Sequence, residues 1–391
     1  MLNFTFHNPT KIIFGRNTIG TIGEEIAKDG HKKVLMVYGM GSIKKTGVYE
    51  LVVNSLKSHG VEFVEVGGVK PNPVLSKVVE AVNVARKEKV TAILGVGGGS
   101  TIDTAKAVAV GVLYEGNVWD AFTKEYQPEK ALPVYVVLTL SATGTEMNPN
   151  AVITNEETGE KYGMSYPCIY PKVSIIDPSV QFHLPPKQTA NGAVDAMAHI
   201  FEYYFSGVEN TDVQDEMAEG VLRTIIRYTE KLLNDPTDYE ARAQFAWCTT
   251  LALNGFISAG VGGGDWACHA IEHALSALYD IAHGEGLAIV VPAWMKYTMM
   301  RNLKKFQRFA EEVMEITPDG KSSVQIAAEG IEKLKAWFAS IGQPTTLKDA
   351  GIPREEIPKI VENVAKRTLP IGKLVKLDKE DIIRILEIGA S

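Results

Sequence analysis

Residues 91–112 read Thr91-Ala92-Ile93-Leu94-Gly95-Val96-Gly97-Gly98-Gly99-Ser100, then a run of small and apolar residues from Thr101 to Val112. The opening positions form a short apolar run that stops at glycines, which predicts a buried strand. The run after Ser100 predicts a helix whose small side chains let it lie close on a neighbour. Strand, glycine turn and helix together form the repeating unit of a layered α/β domain. The alternation extends on both sides. Val34-Leu35-Met36-Val37-Tyr38 predicts a strand ending at Gly39-Met40-Gly41-Ser42, Val61 to Val66 another, and Val134-Tyr135-Val136-Val137-Leu138-Thr139 a further one. Helical patterns over 46–59 and 74–87 separate them, so a largely parallel sheet is expected. Residues 2–14 alternate polar and apolar positions and predict an edge strand or hairpin.

Beyond Leu184-Pro185-Pro186 the strand signals stop. Helical periodicity dominates from Thr189 onward, over 189–206, 211–233, 237–260, 264–280, 285–303, 321–341 and 378–388. Asp378, with Asp381 three positions on, predicts an N-cap for the last of these. The expected division is an α/β domain over 1–187 and an all-helical domain over 188–391.

A hydrophobic content of 45% with 22% charged residues is ordinary for a folded globular chain. The net charge of −7 and the lack of a basic run argue against a nucleic-acid partner. No apolar run reaches membrane-spanning length, and the first residues lack a signal-peptide pattern. The three cysteines, Cys168, Cys248 and Cys268, have neither disulfide nor metal-ribbon spacing. A reducing cytoplasm is the expected compartment.

The turn Gly97-Gly98-Gly99-Ser100 has the elements of an anion cradle: backbone N–H groups and the positive end of a helix dipole, suited to a pyrophosphate. It departs from the usual dinucleotide fingerprint, and glycines in such a turn also serve close packing. Asp103, in the first turn of that helix, is either an N-terminal charge or a ligand for a ribose or amide. An NAD-selective site commonly has an acid at the tip of its first strand. Here the tip is Gly39-Met40-Gly41-Ser42 with Lys44 and Lys45 behind it. That favours a phosphate and hence NADP(H), with NAD(H) the alternative.

Three of the chain's eight histidines fall within residues 265–286, as His269, His273 and His283, where uniform placement would put about half of one. His269 and His273 share a helix face. Gly284 and Gly286 suggest that the chain leaves that helix near His283. Asp195 and His199 form a second pair at helical spacing, with Glu202 close by. The clustered histidines are either buried and hydrogen-bonded or part of a metal site. One carboxylate and three imidazoles from Asp195, His199, His269 and His283 would suit Fe²⁺ or Zn²⁺.

With these elements in place, the chain resembles the iron-containing (group III) alcohol dehydrogenases, above all their butanol dehydrogenase and NADPH-dependent aldehyde reductase branch. The resemblance runs the whole length. It is carried by Phe14-Gly15, Tyr38-Gly39-Met40-Gly41-Ser42-Ile43-Lys44-Lys45-Thr46-Gly47, Pro71-Asn72-Pro73, and Gly97 to Ser100 with Asp103. Thr139-Leu140-Ser141-Ala142-Thr143-Gly144-Thr145-Glu146, Asp177-Pro178, Pro185-Pro186, Asn191-Gly192 and the histidine block complete it. Ser141 stands where the family often has proline, and Cys268 where it often has threonine; Cys268 is expected to be a packed thiol.

The resemblance implies a dehydroquinate synthase-like architecture, with an α/β N-terminal dinucleotide-binding domain, an all-α C-terminal metal-binding domain and the site in the cleft. It implies metal ligands Asp195, His199, His269 and His283, with His273 a non-ligand near the nicotinamide and a candidate for proton relay. The pyrophosphate is expected on Gly97, Gly98, Gly99 and Ser100. Asp103, Thr139, Thr143 and Lys161 are expected near the nicotinamide or its ribose. Asn72 and Ser42, with the Gly39 and Gly41 backbone, would flank the adenosine end. Fe²⁺ is the expected ion, with Zn²⁺ or another divalent ion as alternatives. The implied reaction is reversible hydride transfer between NAD(P)(H) and a primary alcohol or aldehyde such as butanol or butanal, in a homodimer. A glycerol-type polyol dehydrogenase is one alternative. A dehydroquinate synthase-like lyase is another, but it needs basic residues for phosphate and carboxylate, and Asp265 to Ile281 contains none.

Overall fold

The computed structural model describes all 391 residues. The chain divides into two compact units, one of residues 7–185 and 235–250, the other of 1–6, 186–234 and 251–391. A single cut near residue 187 misses two exchanges. Residues 1–6 join the helical unit: the Leu2 N–H donates to the Gly260 carbonyl at 2.9 Å, and the Met1 ammonium donates to Glu209 and Asn210 carbonyls. Residues 235–250 join the α/β unit, where Tyr239 lies under the Arg16 guanidinium at 3.7 Å and Thr250 Oγ1 donates to Glu146 Oε1 at 2.5 Å.

The α/β unit is built on β1 (Lys11–Phe14), β2 (Lys33–Gly39), β3 (Glu62–Val69), β4 (Ala92–Gly97), β5 (Val134–Leu138) and β8 (Val173–Ile176). These six strands form one sheet in the order β1-β8-β5-β4-β2-β3, with every pairing parallel. The period of two along the strands sorts side chains between two cores. Leu35, Val37, Ile93, Val136 and Leu138 face one core, and Val34, Met36, Leu94, Tyr135 and Val137 the other. Helix α1 (Val48–Ser58) covers the second face through Val48, Val52 and Leu56. Helices α2 (Leu75–Glu88) and α3 (Gly99–Leu113) cover the first. The chain leaves β2 towards β3 and leaves β4 towards β5, so the crossovers diverge between β2 and β4. Ligands of open α/β sheets bind at the carboxyl ends of strands at such a switch point.

Two features escaped the sequence patterns. The strand expected over 2–14 shrinks to β1, because residues 1–6 belong to the other unit. An antiparallel hairpin of β6 (Asn150–Asn155) and β7 (Glu160–Ser165) follows β5.

The helical unit contains α4 (Pro186–Tyr204), α5 (Ala267–Tyr279), α6 (His283–Thr298), α7 (Ile357–Val364) and α8 (Lys379–Gly389). The Asp378 side chain accepts from the Glu380 and Asp381 N–H groups and caps α8. Helices Leu303–Glu312 and α7 fall between the segments that periodicity predicts. Phe205, Trp294, Phe306 and Phe309 pack as an aromatic core, with Phe205 stacked on Phe306 at 4.2 Å. No helix is long and apolar enough to cross a membrane.

Candidate active site

In the helical unit, α4 carries Asp195 and His199 one turn apart, both buried. Helix α5 carries His269, Glu272 and His273 and stops at Tyr279, where Asp280 takes a left-handed φ of 52°. A new helix then opens on His283. The chain has thus left α5 before His283, as expected, and Gly284 and Gly286 lie inside the first turn of α6. Their role is close approach. A Cβ on Gly284 would lie 2.5 Å from the Asn191 carbonyl oxygen of α4, and one on Gly286 would lie 2.7 Å from Glu272 Cγ. Only glycine lets the start of α6 reach both neighbouring helices, and that approach brings His283 to Asp195.

Asp195 Oδ1 lies 3.6 Å from His199 Nε2 and 3.6 Å from His283 Nε2. Donor atoms of Asp195, His199 and His269 all lie within 4.8 Å of one another. The His269 ring is 4.8 Å from that of His199 and 5.4 Å from that of His283. Asp195 Oδ1 is buried without a hydrogen-bond partner. A buried carboxylate oxygen in that state is costly unless a cation satisfies it. Burial drives the His199 imidazole down to about 3, against the opposing charge of Asp195, so the ring is in the neutral form that ligates metals. One carboxylate and three imidazoles thus fit a divalent ion of intermediate softness.

Two further carboxylates stand behind these rings. Glu202 Oε1 accepts from His269 Nδ1 at 2.6 Å and from the His269 N–H at 3.2 Å. The Trp266 N–H donates to Glu202 Oε2. Glu272, fully buried, meets His283 Nδ1 and also receives the Ser276 hydroxyl. With Nδ1 hydrogen-bonded to Glu202, His269 keeps its Nε2 for an ion, the arrangement that orients and strengthens metal-binding histidines, and the close contact with Glu272 sets the Nδ1 side of His283 in the same way. Burial pushes Glu202 up to about 8, opposed by the backbone N–H groups of His269 and Trp266. His273 sits beside these donors, its ring 5.5 Å from that of His283 and 6.4 Å from that of His269. The indole of Trp266 approaches His269 edge-on at 5.2 Å. Cys268 is buried, and burial holds its thiol well above the usual range, so it is protonated and inert.

Gly284→Ala is expected to lower metal affinity about tenfold or more, the scale on which ligand support acts. The added methyl must push α6 off the Asn191 backbone and carry His283 with it. Competition with a chelator measures the change, and an unchanged affinity would remove the close-approach role from Gly284.

In the α/β unit, Gly39 and Gly97 end the neighbouring strands β2 and β4, and Thr139 follows β5, its N–H donating to the Gly97 carbonyl at 2.9 Å. A Cβ on Gly97 would meet Thr101 Oγ1 at 2.5 Å, and one on Gly99 would meet Thr143 Cγ2 at 2.6 Å. The glycines thus bring the β5 loop against the first turn of α3, whose leading N–H groups have no acceptor within the helix. Gly41, at φ 102°, turns the β2 tip into a short helix beginning at Ser42. Lys44 stands over the Tyr38 and Tyr49 rings and 3.8 Å from Glu65. Lys161 of β7 donates to Asn72 Oδ1 at 3.0 Å, so the hairpin brings these two together. Asp103 is committed to structure: Thr145 Oγ1 donates to it at 2.6 Å and the Val152 N–H at 2.9 Å.

Residues 9–178 match the model of the iron-containing alcohol dehydrogenases, and residues 189–389 match the model of the C-terminal domain of the Fe-containing alcohol dehydrogenase family. The chain belongs to the iron-containing alcohol dehydrogenase family. It is an oxidoreductase of the butanol dehydrogenase branch. It is 46% identical over 387 residues to the probable NADH-dependent butanol dehydrogenase 1 of Bacillus subtilis, covering 99% of each chain. It is 39% identical to the NADPH-dependent aldehyde reductase YqhD of Escherichia coli, covering 93% of each. The crystal structure of NADH-dependent butanol dehydrogenase A from Thermotoga maritima superposes with a TM-score of 0.97 at 60% identity, over 100% of this chain and 99% of that one. The parallel sheet and the helical unit are those of the family.

Proposed function

We propose that Asp195, His199, His269 and His283 hold Fe²⁺ and that the enzyme reduces short-chain aldehydes such as butanal, or oxidises the corresponding primary alcohols. The chain is an NAD(P)-dependent oxidoreductase for alcohol and aldehyde interconversion; the ion, the ligand set and the substrate are the proposal. The observation that carries it is the convergence of imidazoles on a buried carboxylate oxygen that has no other partner. When bound, the ion supplies Lewis acidity towards an alcohol or carbonyl oxygen, and the nicotinamide supplies or accepts hydride.

This chain's residues supply orientation and polarity. Glu202 and Glu272 hold two imidazoles with Nε2 available. The buried Asp195 supplies the negative charge that selects a cation over water. The first turn of α3, with Gly97, Gly98, Gly99 and Ser100, offers N–H groups and a helix dipole to a pyrophosphate. Thr139, Thr143 and Lys161 are the neighbouring groups proposed for the nicotinamide side, with Asn72, Gly39, Gly41 and Ser42 towards the adenosine. Asp103 supports that side by holding Thr145 and β6 in place.

The acid-free β2 tip supports NADP(H) as the preferred cofactor. The names of the Bacillus subtilis and Thermotoga maritima relatives favour NAD(H) as a second reading. Leu2, Phe4, Phe6 and Phe256 leave an exposed apolar patch on the helical unit, which supports a homodimer. The free cysteines accord with a reducing cytoplasm. Protein purified without oxygen is expected to contain iron, to reduce butanal, and to give the higher kcat/KM with NADPH. A ratio in favour of NADH would transfer the β2 tip to the second reading. A metal-loaded protein inactive towards butanal and butanol with both nucleotides would overturn the substrate.

A further inference from the structure

Arg367 lies just beyond α7, 94 positions from His273, and its Nη2 donates to His273 Nδ1 at 2.8 Å. A guanidinium has N–H donors and no acceptor. His273 Nδ1 must therefore be the acceptor, and the proton of the neutral ring resides on Nε2. The segment that follows Arg367 is fixed from several directions. Ile371 and Leu377 exchange backbone hydrogen bonds at 3.1 and 2.8 Å. The buried Asp265 accepts from the Lys373 and Leu374 N–H groups, each at 2.6 Å. Lys373 Nζ in turn reaches the carbonyls of Val261 and Gly262. Asp265 stands two residues before α5, so the segment bearing Arg367 and the helix bearing His273 are anchored to one point.

We propose that Arg367 is a positioning residue that fixes the Nε2–H tautomer of His273, so that His273 acts as a hydrogen-bond donor and not as the base. The inference rests on the dehydrogenase reading of this site and changes one role within it. A ring whose Nδ1 lone pair is engaged by Arg367 and whose Nε2 carries the proton has no lone pair left to take a proton from an alcohol. Nε2–H instead suits an oxygen that gains negative charge, as a carbonyl oxygen does when hydride arrives at its carbon. In the alcohol direction, the hydroxyl proton then leaves through water and the hydride goes to the oxidised nicotinamide, which balances the step without protonating His273.

The test uses Zn²⁺-loaded full-length enzyme carrying ¹⁵N-histidine, with His273→Gln to assign the signal. Expected is a bare Nδ1 and a protonated Nε2 at His273. Arg367→Met is expected to give mixed tautomers and to lower kcat for butanal reduction about tenfold, the loss of one hydrogen bond to a charged group, with metal content and nucleotide KM unchanged. Arg367→Glu reverses the polarity at Nδ1, so it is expected to move the proton there and to reduce kcat further than Arg367→Met. Arg367→Lys is expected to restore the wild-type tautomer. A protonated Nδ1 in the wild type, or the same tautomer in the Met and Glu variants, would overturn the proposal. The spectrum is read without turnover, so failure of the dehydrogenase reading and failure of the Arg367–His273 coupling are separate results.

Discussion

His269→Ala is expected to yield a folded protein without bound metal whose turnover is down by about 10³-fold or more, the scale of a lost Lewis acid. His269 is joined to the rest of the site on both sides. Its ring stacks on His199 at 4.8 Å, and its Nδ1 donates to Glu202. Removing it deletes one proposed ligand and leaves Glu202, itself buried, without the imidazole it orients. Asp195→Ala is expected to match it, because Asp195 Oδ1 is the oxygen that His199 and His283 both face. Nucleotide binding to the α/β unit is expected to survive both changes, since the residues proposed for it come from other strands and loops. Elemental analysis and nucleotide titration on the same preparations separate these effects. Metal retained at wild-type stoichiometry in His269→Ala would remove His269 from the ligand set.

The legible part of this architecture was the part written in short-range pattern. Short continuous apolar runs bounded by turn residues, such as 134–138, suit strands buried on both faces, and they marked the central strands of the parallel sheet. The four-residue spacings of Asp195 with His199 and of His269 with His273 placed each pair on one helix face. What the sequence could not carry was contact between distant segments. Glu202 and Glu272 are ordinary acids on amphipathic helices until α4, α5 and α6 pack and each meets the back of a histidine. The one available signal was their position, three residues after His199 and His269 respectively, on or next to the face that bears the ligands. The break between α5 and α6 near His283 is legible from Gly284 and Gly286, but their close approach to the Asn191 backbone and to Glu272 is not, because those neighbours lie far off in sequence. Arg367 lies in a loop with no periodicity and 94 positions from its partner, so no spacing rule reaches it. The exchanges of residues 1–6 and 235–250 between the units likewise rest on long-range bonds.

Lys106→Met is expected to destabilise the α/β unit by about 3–5 kcal/mol, the cost of removing one partner from a buried charge cluster. Lys106 is fully buried on α3. Its Nζ donates to the carbonyls of Thr145, Asn148 and Asn150 at 2.6, 2.8 and 2.8 Å and to Thr145 Oγ1 at 2.7 Å. Burial drives its ammonium down to about 7, while the charges of Asp103 and Glu146 act against that shift. Both of those carboxyls are fully buried and pushed upward by desolvation, so the lysine is the cation that makes their burial tolerable. Methionine fills similar volume but leaves three carbonyls and two acids without it. The effect extends beyond stability. The clamped turn contains Thr145 and adjoins Thr143, and Thr143 packs where a Cβ on Gly99 would sit. A loosened turn is therefore expected to weaken nucleotide binding along with the fold. Urea unfolding gives the first quantity and fluorescence titration with NADPH the second. An unfolding free energy within about 0.5 kcal/mol of wild type, the range of surface substitutions, would mean that Lys106 fills space and clamps nothing.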